Sequence, residues 1–153
     1  MILKKSFIQS TNDQTFKNYF VCPENQIAYA AARHVARYPG TNFNPFCIYG
    51  CSGTGKTHIL NAIIDDIKNY HPELNSAYIP INNFTEEQYG IYFDSDILLI
   101  DEYGSMCKTP ATQKKIVTFI ENLLLENKQV VLVTAKILVK WKWSFITDLS
   151  LPG

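Results

Sequence analysis

The sequence predicts an α/β fold, a parallel sheet with helices packed on both faces. Short apolar runs of the kind that make strands buried on both sides alternate with segments whose apolar residues recur at helical spacing. A glycine-rich turn joins one of those runs directly to one of those helices, and another run, Ile97–Ile100, stops abruptly at two acids. Strands alternating with helices imply parallel pairing, because a parallel neighbour can be reached only by a crossover.

Taken in order, residues 1–13 are polar and read as a flexible leader ahead of one domain over 14–153. Pro23 stands where a first helical turn would begin, and Glu24–Tyr38 follows with five alanines before Pro39-Gly40 stops it. Phe46–Tyr49, bounded by Pro45 and Gly50, reads as a buried strand. Lys56–Tyr70 places Ile59, Leu60, Ile63, Ile64 and Ile67 on one helical face and ends at His71-Pro72. Ala77–Ile79 is a second strand, closed by Pro80. Ile97–Ile100 is a third. Thr109 followed by Pro110 is a helix start, and Ile116, Phe119, Ile120, Leu123 and Leu124 continue it as an amphipathic helix over Ala111–Asn127. Val130–Thr134 is an unbroken β-branched and apolar strand.

Composition narrows the class. With 46% apolar and 18% charged residues over 153 positions the chain is globular rather than disordered. Fourteen basic and fourteen acidic residues balance, which does not suit a dedicated nucleic-acid coat. No apolar run has the length of a membrane helix and the N-terminus lacks a signal-peptide core, so a cytoplasmic protein is expected. The four cysteines form no CxxC pair; Cys47 and Cys51 are spaced CxxxC without partners at zinc spacing, and read as ordinary thiols.

Gly50-Cys51-Ser52-Gly53-Thr54-Gly55-Lys56-Thr57 fits the phosphate-loop pattern G-x-x-x-x-G-K-[ST]. Small residues let the backbone curl until successive N–H groups point at phosphate oxygens, and the helix that follows adds its positive dipole end. Lys56 would bridge the β- and γ-phosphates, the Thr57 hydroxyl would ligate Mg²⁺, and His58, next in the same helical turn, is a further candidate nucleotide-binding residue. An ordinary glycine-rich turn with a surface lysine is the alternative.

Asp101 and Glu102 sit where a carboxylate at the end of a central parallel strand faces the ligand crevice. Asp101 would hold Mg²⁺ through water and Glu102 would polarise the attacking water. The alternative is a strand that ends in two solvated acids. Thr134, at the end of its strand, is a candidate sensor of the γ-phosphate or a simple strand cap.

Residues 14–25 (Gln-Thr-Phe-Lys-Asn-Tyr-Phe-Val-Cys-Pro-Glu-Asn), Ala28–Ala36, Asn44–Gly50, Gly55–Ile63 and Ile97–Glu102 resemble, in step, the AAA+ domain of the DnaA/Hda family. DnaA is the bacterial replication initiator and Hda its regulatory relative. The resemblance runs over roughly residues 14–135 and includes positions outside the catalytic motifs. It implies a P-loop AAA+ core of about five parallel strands, ATP or ADP with Mg²⁺ as ligands, and Phe20, Val21, Cys22 and Pro23 against adenine and ribose. Cys22 stands where the family has glycine.

The departures are as informative. Between Ile81 and Asp96 the chain is shorter than the initiator, as in Hda, yet Met1–Thr11 shows no convincing copy of the clamp-docking motif of Hda. Lys136 stands in place of a sensor acid and Lys140 in place of the arginine finger, whose bidentate fork a lysine cannot reproduce. The resemblance ends before the helical lid and the origin-binding helix-turn-helix domain. It therefore implies weak or partner-dependent hydrolysis, no direct grip on DNA, and another AAA+ protein such as DnaA as partner, with the sliding clamp or replicative helicase as further options. Lys136, Lys140 and Lys142 interleaved with Trp141 and Trp143 read as an edge or docking strand, or as a basic aromatic nucleic-acid surface. A non-catalytic interaction module or gene remnant, and a helicase loader, are the competing readings.

Overall fold

The computed structural model describes residues 13–51, 53–79, 85, 87, 89–102 and 109–135, and the backbone alone of 146–148. Nine elements follow along it: α1 (Gln26–Arg37), β1 (Phe46–Tyr49), α2 (Lys56–Tyr70), β2 (Ser76–Ile79), α3 (Tyr89–Phe93), β3 (Ile97–Ile100), α4 (Pro110–Leu125), β4 (Gln129–Thr134) and β5 (Ile146–Asp148). The strands form one sheet in the order β2-β3-β4-β1-β5, every pairing parallel.

Strand alternation divides the core cleanly. Phe46, Ile48, Ile97, Leu99, Val131 and Val133 point to one face, where they meet α1 and α2. Cys47, Leu98, Ile100, Val130 and Leu132 point to the other, where they meet Tyr92 of α3 and Ile116, Phe119, Ile120 and Leu123 of α4. Successive side chains of a strand alternate sides, so a continuous apolar run is stable only in a sheet covered twice. β3 meets that condition, with all four residues buried. Burying a leucine or isoleucine contributes about 1.5–3 kcal/mol, and truncating Leu99 or Ile63 to alanine would cost about 2–5 kcal/mol. α1 approaches α2 closely because its inner face is built of Ala28, Ala31, Ala32 and Ala36 around Val35.

A polar lock fastens the lower end of the sheet. The buried Gln129 side chain accepts from Gly40 N at 2.8 Å and donates to Phe43 O at 2.9 Å. Asn44 donates to Lys128 O at 2.7 Å and accepts from Val130 N at 2.9 Å. These bonds hold the α1–β1 connection against the start of β4 and thereby fix where β1 enters the sheet.

The strands and the helix after the glycine-rich turn match the sequence expectation, Lys56–Tyr70, Phe46–Tyr49 and Ile97–Ile100 to the residue. Four elements differ at their ends. α1 starts at Gln26 rather than near Pro23 and ends at Arg37, with Asn25 at the N-cap position and its side chain turned back to Phe20 and Cys22. α4 starts as the Thr109-Pro110 signal indicates, its N-cap Thr109 accepting from Thr112 N, but ends at Leu125 rather than Asn127, which lies in the left-handed region at φ 57°. β2 and β4 each begin one residue earlier than expected, at Ser76 and Gln129. The short α3 and the three-residue β5 were not expected. The leader over residues 1–12, Ser52, Lys136, Lys140, Lys142, Trp141 and Trp143 lie outside the described residues.

Candidate nucleotide site

The site is assembled at the carboxyl ends of β1, β3 and β4. β1 runs into the glycine-rich turn, whose backbone uses conformations open to glycine: φ is 83° at Gly53 and 92° at Gly55, the residue that caps α2. Thr54 Oγ1 donates to Cys51 O at 2.7 Å, closing the turn on itself. Gly50 N donates to Thr134 O at 3.3 Å, so the end of β4 carries the first residue of the loop. Thr134 is itself buried.

Lys56 is 7% exposed, at the first turn of α2, and its ammonium donates to the carbonyls of Gly50 and Cys51, the latter at 2.7 Å. A buried ammonium must be hydrogen-bonded, and here the loop's own carbonyls supply the partners. Thr57 is exposed beside it, and Cys51 is exposed within the loop. Cys47, two residues inside β1, is the chemical opposite, since burial pushes its thiol up to about 12.

Residues 13–25 lie across the start of α2. His58 Nε2 is 2.9 Å from Thr15 O and 3.1 Å from Asn18 Oδ1, and Asn61 donates to Gln14 Oε1 at 2.6 Å. Tyr19 stacks on Tyr29 and meets the His58 ring edge-on, with centroids 5.8 and 5.0 Å apart. His58 thereby ties this segment to the first turn of α2. Asn25 then organises the next residues, donating to Phe20 O at 2.9 Å and Tyr19 Oη at 3.3 Å while accepting from Cys22 N at 2.9 Å. So held, Phe20 and Val21 are 83% and 43% exposed, Pro23 is exposed, and Cys22 is half-buried. An exposed aromatic on a backbone fixed by side-chain bonds is a ready stacking surface for a planar base.

Asp101 and Glu102 follow β3. The Asp101 N–H donates to Ile79 O at 3.1 Å and its Oδ2 accepts from the Tyr78 hydroxyl at 2.8 Å. Burial first, then that hydrogen bond and the charges of Asp101 and Glu102, hold the Tyr78 phenol well above its ordinary value, so it remains a donor. Glu102 has φ 53°, a left-handed conformation uncommon outside glycine, asparagine and aspartate.

Tyr19 packs against Gly55 and His58, Thr134 bonds to Gly50, and Asp101 and Glu102 end β3 at the same edge of the parallel sheet. Tyr19, Asn25 and Tyr78 were missed by sequence reasoning, because their roles depend on contacts across the chain. Among the described residues no three His, Cys, Asp or Glu side chains cluster as a metal cage. Mg²⁺ is typically held by one or two protein oxygens together with phosphates. The Thr57 hydroxyl and the Asp101 carboxylate are oxygens of the type that could serve it.

The bacterial DnaA ATPase domain matches this chain over residues 10–140. The chromosomal replication initiator DnaA of Citrifermentans bemidjiense is 31% identical over an alignment of 173 residues, covering 97% of this chain and 38% of that protein. The chain therefore spans little more than a third of the length of this curated relative, which carries residues with no counterpart here. Domain III of Thermotoga maritima DnaA superposes with a TM-score of 0.74 at 33% identity, over 81% of this chain and 57% of that one. The AMPPCP-bound DnaA of Aquifex aeolicus does so with a TM-score of 0.70 at 26% identity, over 80% and 42%. DnaI shares the fold alone, with a TM-score of 0.67 at 14% identity over 90% of this chain and 88% of that one. Among the described residues no helix is long and apolar enough to cross a membrane.

Proposed function

Because the chain belongs to the bacterial DnaA ATPase-domain family, we propose that it binds ATP or ADP with Mg²⁺ and acts in the initiation of bacterial DNA replication or in its regulation. The observation that carries this reading is the convergence at one sheet edge of a glycine-shaped loop with a buried lysine, an acidic strand end and an exposed aromatic segment.

Loop N–H groups and the dipole of α2 attract the phosphates. Lys56 exchanges the carbonyls of Gly50 and Cys51 for phosphate oxygens, while Phe20–Pro23 hold adenine and ribose. Thr57 and Asp101 would hold Mg²⁺, which neutralises phosphate charge when bound. Glu102 orients the water that attacks the γ-phosphate and accepts its proton, and Thr134 backs the loop at the γ-phosphate end. Hydrolysis is weak in isolation, since Lys140 stands at the arginine-finger position of the family and Lys136 at that of the sensor acid; a second AAA+ protein such as DnaA is the partner that would raise it.

Steady-state ATP turnover by the purified chain, alone and with Glu102→Gln, tests the reading. Slow turnover removed by Glu102→Gln is expected. Turnover at about 1–100 s⁻¹, the range of kinases, would overturn the weak-hydrolysis claim. Lack of any saturable nucleotide binding would favour an interaction module without a cycle.

A further inference from the structure

The nucleotide reading gives Asp101 a task and leaves Tyr78 without one. Tyr78 lies in β2, opposite Leu99 in register, with Ile79 opposite Ile100. Two bonds therefore reach from β2 to the residue just past the end of β3. Ile79 O takes the Asp101 N–H at 3.1 Å, and the Tyr78 hydroxyl donates to Asp101 Oδ2 at 2.8 Å. The first fixes where the backbone of Asp101 stands, and the second fixes how its carboxylate is turned. The phenol ring is half-buried against the α1–α2 side of the core, so the donor is itself held.

We propose that Tyr78 is the positioning residue of the acidic strand end, occupying Oδ2 so that Oδ1 of Asp101 is the oxygen available to the Mg²⁺ of a bound nucleotide. Without the hydroxyl the carboxylate rotates about a free torsion, and each encounter with the ion must order it afresh. Partners that orient a metal-binding group in this way typically contribute about 10–100-fold to metal affinity. Asp101 would act through water, so a smaller factor, about 3–10-fold, is expected here. This inference rests on the nucleotide reading above.

Tyr78→Phe keeps the ring and its packing and removes only the donor. Binding of fluorescently labelled ADP to the full chain is measured against MgCl₂ concentration and again in EDTA, for wild type, Tyr78→Phe, Asp101→Asn and the double variant. The expected result is a Mg²⁺ midpoint raised about 3–10-fold in Tyr78→Phe, an unchanged ADP affinity in EDTA, and a double variant no worse than Asp101→Asn. A wild-type Mg²⁺ midpoint in Tyr78→Phe, or an equal loss of affinity with and without Mg²⁺, overturns the positioning role and leaves the nucleotide reading standing. Failure of the wild type to bind labelled ADP overturns both.

Discussion

Tyr19 lies directly under Gly55. A β-carbon added to Gly55 would stand 3.1 Å from the Tyr19 phenol oxygen and 3.2 Å from its ring. The residue that caps α2 is therefore constrained twice, by its φ of 92° and by the aromatic ring that also holds His58. The glycine-rich loop and the N-terminal segment are packed together.

Gly55→Ala is predicted to lower stability by about 2 kcal/mol or more, combining a left-handed penalty of about 1–2 kcal/mol with the tight contact. Gly53→Ala carries the φ penalty alone, since nothing lies within 4 Å of its added carbon. Thermal unfolding without nucleotide should rank wild type above Gly53→Ala and Gly53→Ala above Gly55→Ala. Equal melting temperatures for the two variants would show that Tyr19 does not crowd the loop.

At Gly40 the crowding is with backbone. A β-carbon there would come within 2.7 Å of Asn127 O, at φ 80°. Gly40→Ala should cost at least about 2 kcal/mol and loosen the Gln129 lock, read as a fall of at least about 4 °C in melting temperature. Asn127→Gly, which relieves a left-handed residue at the end of α4, should be neutral or slightly stabilising.

Glu102 combines a proposed chemical task with a strained backbone. Glu102→Gly and Glu102→Ala should both abolish hydrolysis, yet the glycine variant should be the more stable by about 1 kcal/mol. If alanine is the better tolerated in denaturant titrations, a left-handed backbone at residue 102 does not cost the fold stability.

The thiols give a chemical footprint. Cys51 is exposed, whereas the Cys47 thiol is buried and pushed up to about 12. Iodoacetamide at pH 8 should alkylate Cys51 and spare Cys47, and saturating MgADP should slow the reaction of Cys51, as read by peptide mass spectrometry. The pH dependence has a definite sign. Because the folded pKa lies above the unfolded one, Cys47 contributes its full stability below the pKa of the unfolded thiol, about 8.5. That contribution is lost as the pH rises from there toward the folded value.

Much of this was legible in the sequence because it is written in local patterns. Gly50–Thr57 and the abrupt end of Ile97–Ile100 at Asp101 are short-range signals, and Thr109-Pro110 names the start of α4 by capping chemistry alone. What could not be read depends on chain segments far apart. Asn25 stands at the N-cap position of α1, but its side chain serves Phe20 and Cys22 rather than the helix. The meeting of Tyr78 with Asp101 follows from the β2–β3 register, and that of Tyr19 with Gly55 from how residues 13–25 cross α2. The five-residue α3 is too short to show a period, and β5 is recognisable only by its pairing with β1.

The central claim is that Gly50–Thr57 holds nucleotide phosphates with Lys56 as their cation. Calorimetric titration of the purified chain with ADP in Mg²⁺, beside Lys56→Ala at matched folded fraction, tests it most directly. The account predicts one saturable site for wild type with a micromolar or tighter dissociation constant, weakened at least tenfold, or about 1.4 kcal/mol, in Lys56→Ala. No heat and no saturation in wild type, or equal affinity in both proteins, would contradict it.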